Sequence, residues 1–240
     1  IHHCNEIAQN QAYTGSAQTG ANFWIHNNFL VDRTGKMSKS KGGIATLNGL
    51  IDRGVHPLAY RLLCLSAHYR SELEFSGENV SAALTRLKRL VIAIEKVKAA
   101  TVGSEWLPFS PWTVTDAPVL ATFDEKISAD LMTPAALPLL EEVLGDKRID
   151  PDTKLRLIAT MDEVLGLRLL DLSRTELRVR PADADITESE IDAELDRRQA
   201  ARATKDFALS DTIRDGLGAR GVEVMDGDPL RWDWKVAVED

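Results

Sequence analysis

The chain has 240 residues, 44% hydrophobic and 28% charged, with a net charge of −8. That is the composition of a soluble globular protein with room for two or three modest domains, and the acidic balance argues against nucleic-acid binding over the whole surface. No apolar run approaches the roughly 20 residues that span a bilayer, and no basic stretch followed by an apolar one reads as a signal peptide. Cys4 and Cys64 are too few for a disulfide framework, so a cytoplasmic location is expected. The charge is unevenly spread: residues 1–70 carry seven Lys/Arg against three acids, a surplus of four, and the remainder carries −12. The chain opens on Ile1 and runs straight into a helical pattern, so a fragment of something longer is expected.

Residues 2–13 read as a short helix stopped near Gly15. His2 and Glu6 are four apart on one face, a spacing that supplies two ligands to a zinc ion or forms an ordinary surface pair. Residues 22–31 are rich in aromatic and β-branched types and predict a strand leading to a turn at 32–35. Lys36-Met37-Ser38-Lys39-Ser40 comes next, with Gly35 before it and Gly42-Gly43 after it. Glycines free the backbone and lysines make the loop cationic, which suits either a solvated turn or closure over a polyphosphate. Thr46 caps a short helix through Leu47, Leu50 and Ile51, and Pro57 opens another carrying Leu58, Leu62, Leu63 and Leu65. His26 and His68 are either site donors or satisfied structural histidines.

From Ser76 the pattern turns to long helices. Val80, Leu84, Leu87, Val91, Ile94 and Val97 form one amphipathic stripe, and a Pro/Trp-rich loop spans about 103–118. A second helix starts at Leu120, a third at Thr133-Pro134 running through Leu137, Leu140 and Leu144, and a fourth at Asp150-Pro151 stopped by Gly166. Four such helices with short connections predict a bundle. Residues 173–186 read as a polar linker. Thr187 and Glu190 make a capping box for a helix through Ile191 and Leu195; a second helix carries Phe207, Ile213 and Leu217. Residues 222–224 and 232–236 alternate around an Asp226-Gly227-Asp228-Pro229 turn and predict a hairpin.

Lys36-Met37-Ser38-Lys39-Ser40 resembles the signature loop of class I aminoacyl-tRNA synthetases. His2-His3-Cys4-Asn5-Glu6-Ile7-Ala8-Gln9, Trp24-Ile25-His26-Asn27-Asn28-Phe29-Leu30 and Leu65-Ser66-Ala67-His68-Tyr69-Arg70-Ser71 are similar to segments of cysteinyl-tRNA synthetases. So are Lys205-Asp206-Phe207-Ala208, Asp211-Thr212-Ile213-Arg214-Asp215 and, more loosely, Asp130-Leu131-Met132-Thr133-Pro134. Cys4, where that family usually has Glu, and Lys41 and Gly43 depart from the pattern.

The resemblance implies the C-terminal half of such an enzyme, mainly α with a small α/β part. It would hold the end of a Rossmann catalytic domain with its connecting fold (1–70), a helical bundle (71–180) and a small C-terminal α+β module on the anticodon side (181–240). It implies that His2 and Glu6 are two of four zinc ligands, and that Lys36 and Lys39 are the catalytic, ATP-binding lysines, with ATP and magnesium as substrate. The implied partners are cysteine, ATP and tRNA(Cys), the activity is cysteine activation and transfer, and no membrane is involved. The sequence has no His-Ile-Gly-His run, the family's other nucleotide motif, and not the family's two zinc-binding cysteines, so this chain in isolation is expected to be inactive. The last module is acidic, eight Lys/Arg against sixteen Asp/Glu from Pro181 onward, so RNA contact there would use local arginines: Arg197, Arg198, Arg202 and Arg214. Two alternatives are a ligase that joins cysteine to an amino sugar, as in mycothiol synthesis, and a non-catalytic RNA-binding module.

Overall fold

In the computed structural model, residues 2–32, 35–36, 46–101 and 118–236 are described. The elements in order are α1 (His2–Thr14), β1 (Leu30–Asp32), β2 (Gly35–Lys36), α2 (Leu47–Ile51), α3 (Pro57–Leu65), β3 (Leu73–Glu74), α4 (Gly77–Ala99) and α5 (Pro118–Ser128). They continue as α6 (Thr133–Ala136), α7 (Pro138–Gly145), α8 (Pro151–Leu165), α9 (Glu188–Ala203), α10 (Phe207–Ala219), β4 (Val222–Val224) and β5 (Trp232–Trp234).

Helix α4 organises the larger core. Ser76 accepts a hydrogen bond from the Asn79 amide, closing its N-terminus, while Glu78 and Lys96 sit at the ends where the helix dipole favours them. Its apolar stripe, Val80, Leu84, Leu87, Val91 and Ile94, is fully buried and packs against α3, α7 and α8. Helix α8 begins as the sequence dictates, with Asp150 accepting from the Thr153 amide at 3.0 Å and Pro151 in the first turn. It ends at Gly166 in the left-handed conformation. One continuous core runs from Leu50 to Leu177, so α2 and α3 share it with the bundle and residue 70 falls inside its span.

Several expectations need correction. The strand foreseen over 22–31 is only Leu30–Asp32, because β1 finds partners only there: antiparallel β2 and parallel β3. Phe23, Ile25 and Phe29 stay exposed. The third bundle helix is two, α6 and α7, because Pro138 cannot continue the hydrogen-bond ladder of the turn before it. Thr133 does not cap; Asp130 and Leu131 just before it both take positive φ, 58° and 55°. The polar stretch 173–186 has no regular structure, yet Leu177 is buried in the bundle core and Ile186 in a second core.

That second core joins α9, α10 and the β4–β5 hairpin around Ile191, Leu195, Ile213, Leu217, Trp232 and Trp234. The capping box forms, Thr187 and Glu190 each receiving the other's backbone amide at 3.3 and 2.8 Å. The hairpin stops at Trp234, two residues short of the expected end. Phe207, which α10 carries as expected with Ile213 and Leu217, is 61% exposed at its start, whereas the other two are buried. The module is fastened to the bundle by charge: Lys88 to Asp233 at 2.5 Å, Arg174 to Asp228 at 2.8 Å, and the Arg178 guanidinium stacked 3.7 Å from the Trp232 ring centre.

Candidate functional site

Helix α1 places residues 2 and 6 one turn apart. Glu6 is exposed and makes no ion pair among the described residues; the His2 side chain lies outside them. His and Glu are both ligand types that zinc accepts, and among the described residues no group of three candidate ligands occurs. His3, next on the helix, stacks on His26 with ring centres 4.1 Å apart and lies 5.0 Å from Trp24. This contact ties α1 to the segment that leads into β1. The His3 Nδ1 and Trp24 Nε1 atoms are buried there without hydrogen-bond partners.

Lys36 lies in β2, its backbone registered opposite Val31 of β1. Lys39, and Lys41 and Gly43 after it, lie outside the described residues. The root of the lysine loop is therefore set by β1, and β1 by the segment between α3 and α4. Phe75 donates its amide to Val31 and Leu73 to Phe29, at 2.7 and 3.1 Å. Asn28 binds the carbonyls of Tyr69 and Arg70 through its backbone and side-chain nitrogens, at 2.8 and 2.9 Å.

The turn at 68–70 in turn grips the bundle. The Tyr69 hydroxyl donates to the Asp130 carboxylate at 2.6 Å, and Arg70 approaches its other oxygen at 3.2 Å. His68 Nδ1 accepts the Arg70 amide, which leaves Nε2 as the protonated nitrogen that donates to the Asp130 carbonyl at 2.8 Å. Asp130 is thus held in its left-handed conformation from three sides. His68 is a satisfied structural histidine, and the sequence offered no sign of its distant partner.

The four C-terminal arginines are scattered in environment. Arg197 and Arg214 are about half exposed and reach Glu194, and Asp211 and Asp215, at 3.3–3.5 Å. Arg198 is buried and binds both oxygens of Asp226 at 2.6 and 2.9 Å, and Arg202 shares one of them at 2.9 Å. The hydrogen bond from Arg198 holds the Asp226 carboxyl below the usual carboxylate range. Arg198 and Arg202 are brought together beside a cavity of about 350 Å³ that Arg231 also lines. Arg231 is held at a φ of 65° and bound to Asp196, and neither property has a local signature in the sequence.

Residues 1–85 match the family model described as tRNA synthetases class I (C) catalytic domain. Over 98% of its length the chain is 56% identical to a protein of Zymomonas mobilis named cysteine–tRNA ligase, covering 51% of that protein. It is 55% identical to the cysteine–tRNA ligase of Novosphingobium aromaticivorans, over 99% of this chain and 48% of the relative. The corresponding ligase of Treponema denticola is 34% identical over 98% of this chain and 50% of its own length. The chain is a homologue of the cysteine–tRNA ligases. It spans about half the length of the relatives it matches. Its first 85 residues, the lysine signature among them, are the part that resembles a class I catalytic domain. No helix among the described residues is long and apolar enough to cross a membrane.

Proposed function

We propose that the chain acts as the C-terminal half of a cytoplasmic cysteine–tRNA ligase, which activates cysteine with ATP and transfers the cysteinyl group to tRNA(Cys). Likeness to such ligases along almost the whole chain, together with an intact Lys36–Ser40 signature, carries this reading. Residues 1–70 would complete the catalytic domain, 71–180 form the bundle and 181–240 meet the tRNA. Lys36 and Lys39 would place two ammonium groups against the phosphates of magnesium-bound ATP, where charge grows as pyrophosphate leaves. A charge met only in the transition state speeds the reaction without tightening the ground state.

His2 and Glu6 would hold a zinc ion whose remaining ligands lie outside this chain. When bound, zinc supplies a soft site for the cysteine thiolate and rejects serine, whose hydroxyl is a poor ligand. Selection at binding makes a separate editing site unnecessary. On the tRNA side, Arg197, Arg202 and Arg214 are exposed enough to reach phosphates, whereas Arg198 acts through Asp226, fixing the pair that Arg202 completes. Exposed Phe207, at the start of α10, offers a face on which a base can stack.

The test joins this chain to the N-terminal half of the Zymomonas mobilis relative and follows labelled cysteine onto tRNA(Cys), with an amino-sugar acceptor alongside. Zinc-dependent transfer to tRNA, lost in Lys39→Ala, is expected. Transfer to the sugar alone would reassign the chain, and absence of cysteinyl-adenylate would leave an RNA-binding role.

A further inference from the structure

A second cleft lies where the C-terminal module meets the turn between α2 and α3. It encloses about 340 Å³ and is walled by Arg53, Asp183, Asp185, Arg220, Trp234 and Lys235. Its frame is fixed by backbone. Gly54 takes a φ of 82° and brings the turn against Val179 and Pro181, the Ala182 amide donates to Asp52 at 2.8 Å, and the Lys235 amide to Gly221 at 2.8 Å.

The cations in this wall are unequally neutralised. Arg220 is paired with Asp185 at 2.9 Å. Arg53 and Lys235 make their hydrogen bonds to carbonyls, of Gly49 and Gly218, both at 3.0 Å, and neither has an acidic partner among the described residues. Against them stands Asp183, exposed. The cleft therefore holds one positive charge in excess, within a module that is acidic as a whole. Trp234 adds a second, independent sign. It is 3% exposed, and its indole N–H is buried without an acceptor. A buried donor left unpaired costs about 1–3 kcal/mol, so a ligand that brings an acceptor is favoured.

We propose that this cleft binds one phosphodiester of the tRNA backbone, an inference that rests on the ligase reading above. One phosphodiester carries the single negative charge that the cleft lacks and the acceptor oxygens that its donors need. The contact spans both bodies, Arg53 from the bundle core and Trp234 and Lys235 from the module, so it fixes register between them and carries no sequence information.

The experiment titrates tRNA(Cys) into the 240-residue chain labelled with ¹⁵N at tryptophan, assigning the Trp234 indole resonance with Trp234→Phe. Inorganic phosphate is titrated in parallel. The Trp234 indole resonance is expected to move with tRNA at concentrations far below those needed for phosphate. Arg53→Ala and Lys235→Ala are each expected to weaken tRNA binding about sixfold near 0.1 M salt and to lower the salt slope by about one. Lys235→Arg is expected to restore both. A resonance that stays still while tRNA binds overturns the site and leaves the ligase reading standing. Equal response to phosphate and tRNA makes it a site for free anions and overturns the RNA assignment. No binding of tRNA by the wild-type chain defeats the site, and the aminoacylation assay then decides the ligase reading separately.

Discussion

Arg178 is the side chain on which attachment of the C-terminal module should turn. Its guanidinium sits 3.7 Å from the Trp232 ring centre with a side-chain exposure of 10%, so the cation–π contact is desolvated and stabilises by about 2 kcal/mol. Two long hydrogen bonds, to the Trp232 carbonyl at 3.4 Å and Glu188 at 3.5 Å, add roughly 0.5–1 kcal/mol. Its Nε is buried without an acceptor, and removing that donor offsets about 1 kcal/mol. Arg178→Met keeps the stem and deletes the cation, for a net loss of about 2 kcal/mol, roughly thirtyfold in an opening equilibrium. The core of the module is small, so this loss should appear as local opening. Hydrogen exchange at the β4–β5 amides is expected to quicken about thirtyfold while α4 and α8 amides keep their rates. A change under threefold in the hairpin, or an equal change in both bodies, would refute the reasoning.

Gly54→Ala puts a Cβ at a φ of 82° and 3.1 Å from both Pro181 and the Val179 carbonyl; a loss of about 2–3 kcal/mol in urea unfolding is expected, and a neutral result contradicts it. Acid should loosen the same module. Hydrogen bonds from Arg198 and Arg174 hold Asp226 and Asp228 below their unfolded values of about 3.9. Their contribution is complete above that pH and is lost as pH falls through the depressed values. Tryptophan fluorescence should follow this loss, with a shallower acid slope in Asp228→Asn; an unchanged slope counts against it. In the joined enzyme, Lys39→Ala should slow adenylate formation by about 10²–10³ in ATP–pyrophosphate exchange and leave cysteine affinity nearly unchanged; equal losses in both would place the lysine elsewhere.

Three of the helices were readable because each carries its start signal locally: Ser76, Asp150-Pro151 and the Thr187–Glu190 box cap α4, α8 and α9 in turn. The hairpin was readable from its alternation around a Gly-containing turn. The break between α6 and α7 was written in Pro138, but the leucine spacing on either side masked it. The strand over 22–31 failed because aromatic content predicts a β surface only where another strand covers it, and here only three residues pair. For the proposed site, His2 and Glu6 are suggested by helical spacing, and Lys36 and Lys39 by likeness to the synthetase signature. Partners far apart in the chain had no such mark. Arg198 with Asp226, Arg178 with Trp232 and Tyr69 with Asp130 are fixed only by the tertiary fold.

The grip of residues 68–70 on Asp130 bears on how freely parts of such a chain can be exchanged. The turn that opens α6 is held in left-handed geometry by side chains from a segment some 60 residues earlier, and that same segment sets the strand from which the lysine signature departs. A transplant of the bundle from a distant relative must therefore bring its own counterpart of His68, Tyr69 and Arg70. Otherwise the recipient keeps every helix and loses the pairing that fixes β1. Inheritance, like engineering, has to move these two stretches together.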